Sequence, residues 1–208
     1  MKRWGPLAIL GMPFLLVACQ AVAGSNGPTI RATVPAASAS ASATPSAVPS
    51  AETGLFTTPC SAGQLAVRWG GLFGEPTGQH TVPLTISNIS TNGCYLSGYP
   101  QVAFADSAGR VLPLQYQTTG DQVVTSAPPR HVDLAPHGLA YVTVNKYRCD
   151  TTDLVQASSL RLTPPGLTSS FDVSLAENAS MDYCGPGDPG STVHVSPVEP
   201  NFSDTLPQ

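Results

Sequence analysis

Five cysteines constrain this chain more than any other feature. One stands at position 19, directly behind an apolar leader, and four stand at 60, 94, 149 and 184. With Cys19 set aside the remaining set is even, as a two-disulfide framework requires. Pairing in chain order, Cys60 with Cys94 and Cys149 with Cys184, closes two loops of about 35 residues each and is the simplest arrangement; three connectivities are formally open. Disulfides persist in oxidising compartments, so the chain should also encode its own export.

The leader meets that requirement. Lys2 and Arg3 supply a positive start, and residues 4–17 are mostly apolar but broken by Gly5, Pro6, Gly11 and Pro13. About 14 such residues fall short of the roughly 20 that a spanning helix needs, which makes the stretch a secretory signal. Its end, Leu16-Val17-Ala18-Cys19, resembles the bacterial lipobox. The resemblance implies that residues 1–18 are a lipoprotein signal peptide and that Cys19 becomes the lipidated first residue, carrying diacylglycerol and a palmitate-type acyl chain. The protein would then be anchored at the extracytoplasmic face of the cell membrane. The alternative is an ordinary cleavage site at Ala21-Val22-Ala23, which would discard Cys19.

Residues 19–59 read as the lipidated cysteine followed by a disordered linker. The composition collapses to Ala, Ser, Thr, Pro and Gly, with Arg31 and Glu52 the only charges. So few large apolar side chains cannot offset the entropy of ordering. About 40 flexible residues give a mean reach of roughly 35 Å.

Charge narrows the partners. Without Lys2 and Arg3 the 9 basic residues fall to 7 against 13 acidic ones, and Lys146 is the one lysine left. No basic patch is available to neutralise phosphates, so nucleic acid is not an expected partner, and attraction to anionic headgroups is weak. The expected partners are the membrane, through the lipid on Cys19, and an envelope protein, glycan or small ligand.

From Cys60 onward, short alternating segments are separated by turn residues at the spacing of an all-β sandwich. Leu65, Val67 and Trp69 share one face; so do Val82, Leu84 and Ile86; so do Ala140, Val142 and Val144. Asn92-Gly93 has the composition of a turn with positive φ. Residues 101–105 and 110–115 read as a hairpin, residues 123–124 as a short element, and residues 154–158 as a helical turn. The domain is placed at 60–198, with a flexible C-terminal tail at 199–208.

One stretch is more specific than the alternation. The order Cys60, residues 82–88 (VPLTISN), Cys94-Tyr95-Leu96-Ser97-Gly98-Tyr99-Pro100 and Asp106-Ser107-Ala108-Gly109 resembles the actinobacterial domain of unknown function 4232. Residues 132–140, Cys149, residues 160–165 and Cys184 continue the likeness, which spans essentially the whole domain. Such domains commonly carry Pro-Gly in the later turn, where this chain inserts His137 between Pro136 and Gly138. The resemblance implies an immunoglobulin-like antiparallel β-sandwich in an exported or lipid-anchored protein. It carries over no activity and no functional residues.

Three constellations are chemically suggestive. His131, Asp133 and His137 contain the groups for a general base or a metal site, and are the basis of the alternative reading as an envelope hydrolase or metal-dependent enzyme. Asp150, Asp153, Asp182 and Asp188 flank Cys149 and Cys184, and would converge if those cysteines pair. Trp69, Phe73, Tyr95 and Tyr99 are a candidate sugar- or peptide-binding platform, since aromatics combine flat apolar area with some polar reach. Solvated loop acids and core aromatics are the ordinary fates of such residues. No G-x-S-x-G, H-E-x-x-H or S-x-x-K pattern occurs. The expectation is therefore a noncatalytic binding or interaction domain, with no catalytic residue, no metal and no cofactor.

Overall fold

The computed structural model describes residues 55–71, 76–176 and 179–208. The lipobox with Cys19, the linker as far as residue 54, and Phe73 lie outside the described residues. Within them, strands form where the sequence alternates: β1 (Leu65–Trp69), β2 (Gln79–Asn88), β3 (Cys94–Leu96), β4 (Gln101–Ala105) and β5 (Gln115–Gln117). The second half adds β6 (Val132–Leu134), β7 (Leu139–Tyr147), β8 (Ser159–Thr163), β9 (Phe171–Ser174) and β10 (Thr192–Val195). The fold is an all-β sandwich. One sheet has the order β1-β2-β7-β10-β5, a second β4-β8-β9, and β3 pairs with β6 in a third. Every ladder is antiparallel except that of β10 with β5, which is parallel.

Register explains which side chains reach the core. Val82 lies opposite Val144, Leu84 opposite Val142 and Ile86 opposite Ala140, so a single face of β2 and β7 is apolar. Val67 and Trp69 extend that face across β1, and Val193 and Val195 across β10. The facing layer comes from Phe104, Leu160, Leu162 and Val173 on β4, β8 and β9, and from Leu96, Val132 and Leu134 on β3 and β6. All belong to or pack against one buried cluster, as expected of strands that expose alternate residues to the two sides of a sheet. Pro83 is tolerated inside β2 because its register partner Thr143 directs its backbone N–H and C=O to Ser196 instead.

Two disulfides staple the layers. Cys60 joins Cys94, tying the segment before β1 to β3, and Cys149 joins Cys184 beyond the end of β7.

Several local expectations need correction. Residues 101–105 and 110–115 do not make a regular hairpin: a bridge joins Ala105 to Val111, but β4 takes β8 as its partner and β5 crosses to β10. Asp106 makes the turn itself, its Oδ1 accepting the N–H groups of Ala108 and Arg110, and the chain leaves β4 only after the Ala105–Val111 bridge. Neither Asn92 nor Gly93 takes a positive φ. Gly93 instead lies against the Phe56 ring: an added Cβ would sit 2.1 Å from its Cε1, so a larger residue here would have to displace that ring. His137 itself adopts φ +63°, taking the left-handed place that glycine would usually fill, and its N–H donates to Asn88 O. Residues 154–158 form no helical turn; Val155 bridges Tyr183. Val123 and Val124 are no strand either, yet both are buried as a wedge over the sheet.

The chain ends are also more tightly integrated than expected. Residues 199–208 are not a loose tail. Glu199 and Tyr141 exchange backbone hydrogen bonds, Thr143 Oγ1 lies 2.6 Å from Thr205 Oγ1, and both threonines are fully buried. Arg130 clamps the segment, with Nε 2.6 Å from Glu199 Oε2 and Nη2 2.5 Å from Asp204 Oδ2. At the other end, residues 55–59 belong to the fold: Pro59 bridges Tyr95 in parallel, and Tyr95 N donates to Thr58 O.

Candidate functional site

His131 and Asp133 do come together, and the sequence-level reason is simple: they are two residues apart on β6 and its approach, on the same outward face. His131 Nε2 lies 3.1 Å from Asp133 Oδ1, and the His131 ring stacks on Tyr95 at 4.2 Å between centroids. Tyr95 is the register partner of Asp133. The carboxylate is already in use, however. Its oxygens accept the backbone N–H of Leu55 at 2.7 Å and of Phe56 at 2.9 Å. Burial acts to raise the Asp133 pKa, but these amides and His131 outweigh it, so the carboxyl titrates below its ordinary range. The pair is thus a clamp that fixes where the linker enters the domain. His137 lies in the turn before β7, and among the described residues no group of three His, Cys, Asp or Glu side chains could hold a metal ion.

Asp133→Ala is expected to free that entry point. Amide exchange at Leu55 and Phe56 should accelerate, with a stability loss of about 1–2 kcal/mol from the charge-assisted bonds. Exchange mapped by mass spectrometry checks this; unchanged protection at both amides would contradict the clamp.

Of the candidate aromatic platform, Phe73 lies outside the described residues, and the other three have different neighbours. Trp69 faces inward from β1 and packs against the core, Tyr95 stacks on His131, and the Tyr99 hydroxyl lies 3.4 Å from Ala127 O. These are three separate environments.

The acids near Cys149 and Cys184 are distributed over local tasks. Asp188 Oδ1 caps the short turn Pro189–Ser191 through Gly190 N, and its Oδ2 accepts from Asp150 N at 3.3 Å. Asp182 Oδ1 accepts from Ala157 N, while Asp150 Oδ1 sits 3.6 Å from Arg148 Nε.

What the sequence reading missed lies at the end of β7, where Asn145 and Lys146 are both completely buried on opposite faces of one strand. On the outer face, Asn145 is the hub of a polar network. Its Nδ2 donates to Gln79 Oε1 at 2.7 Å and to Asp121 Oδ2 at 2.6 Å, and its Oδ1 accepts from Thr81 Oγ1 at 2.8 Å. Asp121 Oδ1 meanwhile accepts the N–H groups of Val123 and Val124, which folds residues 121–124 down over the sheet.

Beside this network is a cleft of about 380 Å³, lined chiefly by Gln79, Asp121, Gln122, Tyr147, Thr192 and His194. Amides, a hydroxyl, a carboxylate and an imidazole thus surround one opening, with the Tyr147 ring as its wall. The ring is positioned by Gly78, at φ +82°, where a Cβ would approach it to 2.9 Å. The Arg148 guanidinium lies 5.8 Å from the ring centroid. His194 Nδ1 is buried without a hydrogen-bond partner, a state that costs free energy.

The family model for the domain of unknown function DUF4232 matches residues 60–199. The chain belongs to this family. The matched residues run from the first disulfide cysteine to Glu199, and so cover the ten strands, both disulfides and the cleft. No curated protein and no solved structure matches the chain.

Proposed function

We propose that this DUF4232 protein is an exported, lipid-anchored envelope protein whose sandwich is a noncatalytic binding domain. Its ligand would be seated in the cleft at the end of β7. Export is supported by the two disulfides, which favour an oxidising compartment. Lipid anchoring is supported by the Leu16-Val17-Ala18-Cys19 sequence alone.

The observation that carries the binding reading is the cleft lining. Hydrogen-bonding groups of several kinds converge on one opening, and the buried Asn145 network beneath them holds Gln79 and Asp121 in place. Such preorganised polar groups around a pocket of this size suit a small ligand, or the end of a glycan or peptide, recognised by hydrogen bonds. Loops set on a rigid sandwich are a common place for such a site.

Gln122→Ala combined with Thr192→Val removes two lining groups without touching the core. The tagged full chain should retain partners from envelope extracts, after crosslinking, that the double variant captures at least about tenfold less. Equal capture by both proteins would move the site elsewhere. In the same cells, Cys19→Ala should release the protein from the membrane fraction and remove the lipid label.

A further inference from the structure

The inner face of the end of β7 carries the more unusual group. Period-2 alternation places Lys146 on the side of Ala140, Val142 and Val144, and its side chain is wholly buried there. Among the described residues its amino group has hydrogen-bond-range contacts only with sulfur: Nζ is 3.7 Å from Cys184 Sγ and 3.9 Å from Cys149 Sγ. Asp182 and Asp188 contribute charge at longer range. A buried ammonium set against a disulfide gains little from it, because a disulfide carries no charge and accepts hydrogen bonds weakly. The same ammonium would strongly stabilise a thiolate, the form in which a cysteine leaves or attacks.

A second group is placed for the reduced state. Asp182 O lies 3.7 Å from Cys184 Sγ and 3.9 Å from Cys149 Sγ. In the disulfide no S–H exists to donate to it, whereas a reduced thiol there would have its acceptor. The two sulfurs also differ in access. Cys184 is 5% exposed beneath the turn Pro189–Ser191, which packs so closely that a Cβ on Gly190 would lie 2.7 Å from its sulfur. Cys149 is only half-buried. The Cys60–Cys94 pair is different: both residues are buried, and among the described residues no cationic side chain is hydrogen-bonded to their sulfurs.

We propose that Cys149–Cys184 is a thiol–disulfide exchange site, opened by a dithiol, with Lys146 as the group that stabilises the leaving thiolate. The attacking thiolate of the dithiol forms a bond to Cys149 Sγ, and the Cys149–Cys184 bond breaks. Its electron pair passes to Cys184 Sγ as a thiolate beside the Lys146 ammonium. The second thiol of the dithiol, as its thiolate, then attacks the mixed disulfide and releases Cys149 as a thiolate, which takes up a proton. The dithiol is oxidised by two electrons and the protein reduced by two. The reverse sequence restores the bond. This activity goes beyond ligand binding in the cleft and does not depend on it.

The test equilibrates the full chain, in detergent, with buffers of reduced and oxidised dithiothreitol, followed by acid quench, alkylation and peptide mapping. Cys149 and Cys184 should become labelled in buffers that leave Cys60 and Cys94 joined. Lys146→Met should shift the reduced-to-oxidised ratio of that pair toward the disulfide by about tenfold, whereas Lys146→Arg, which keeps the charge, should shift it less. Simultaneous opening of both disulfides would overturn the proposal, since that is the pattern of general unfolding. An unchanged ratio in Lys146→Met would overturn it as well, whatever that substitution does to stability.

Discussion

Replacing Cys60 and Cys94 together by alanine is expected to lower stability by about 4 kcal/mol and the melting temperature by roughly 10 °C. The loop they close spans 34 residues of sequence separation, which sets the chain-entropy contribution. Two further features make this pair consequential. Both cysteines lie in the buried cluster, so the substitution removes core volume as well as the crosslink. The bond also holds the segment at residues 58–60 against β3, where Cys60 N donates to Tyr95 O and Tyr95 N donates to Thr58 O. Denaturant titration of the double variant measures the effect. A loss under about 1 kcal/mol would mean that the paired strands, rather than the crosslink, fix this corner.

Much of this corner could be read from the residues. Cys94, Leu96 and Gly98 stand two apart, so one strand face had to carry the sulfur and the leucine inward. Alternation likewise gave the inner faces of β1, β2 and β7, because a half-buried strand writes its burial directly into a period of two. Parts that depend on tertiary context were not legible. The Asp106–Arg110 turn looks like the centre of a hairpin and begins one at the Ala105–Val111 bridge, but the chain then leaves β4 and pairs as β5 with β10, which nothing local in the sequence announces. Gly93 has the composition of a turn glycine, yet what packs against it is the Phe56 ring, 37 positions earlier and in the end of a stretch that reads as linker. The C-terminal residues are rich in polar and turn-forming types and read as a tail. Their order comes from Arg130 and from the outer face of β7, neither of which is near in sequence.

The candidate sites divide in the same way. His131 and Asp133 could be paired from their spacing, but the backbone amides that occupy Asp133 have no sequence signature. The cleft was invisible because its lining is drawn from β2, the loop at Asp121 and Gln122, the end of β7 and β10, segments far apart in sequence, and because the buried Asn145 network beside it takes partners from β2 and from that loop. Lys146 did leave a trace. It is the one lysine after position 2, and it falls on the apolar phase of the clearest strand. A charged residue in phase with a buried face either marks the strand's end or is buried for a reason, and here it is buried.

That burial should be measurable as a pH dependence. Desolvation lowers the Lys146 pKa from 10.5 to about 8, with Asp182 and Asp188 partly opposing it. His80, its register partner on β2, is a further titratable residue on the same face. The Cys149–Cys184 sulfurs do not titrate while bonded. The unfolded chain therefore holds the lysine proton up to about pH 10.5, and the folded chain only to about pH 8. Between those values the unfolded state binds more protons, so stability rises with pH. Below pH 8 both states are protonated and the full cost of burying the ammonium remains, up to about 3 kcal/mol for a shift of this size. Lys146→Met keeps the length and apolar stem but has no proton to lose. It should be more stable than the natural protein at pH 7, and the difference should close between pH 8 and pH 10.5. Comparing the two proteins by denaturant titration across that range cancels tyrosine and other shared ionisations. A difference that stays constant with pH would show that Lys146 is not desolvated as the fold implies. If the difference closes as expected, the lysine costs the fold stability wherever it is charged.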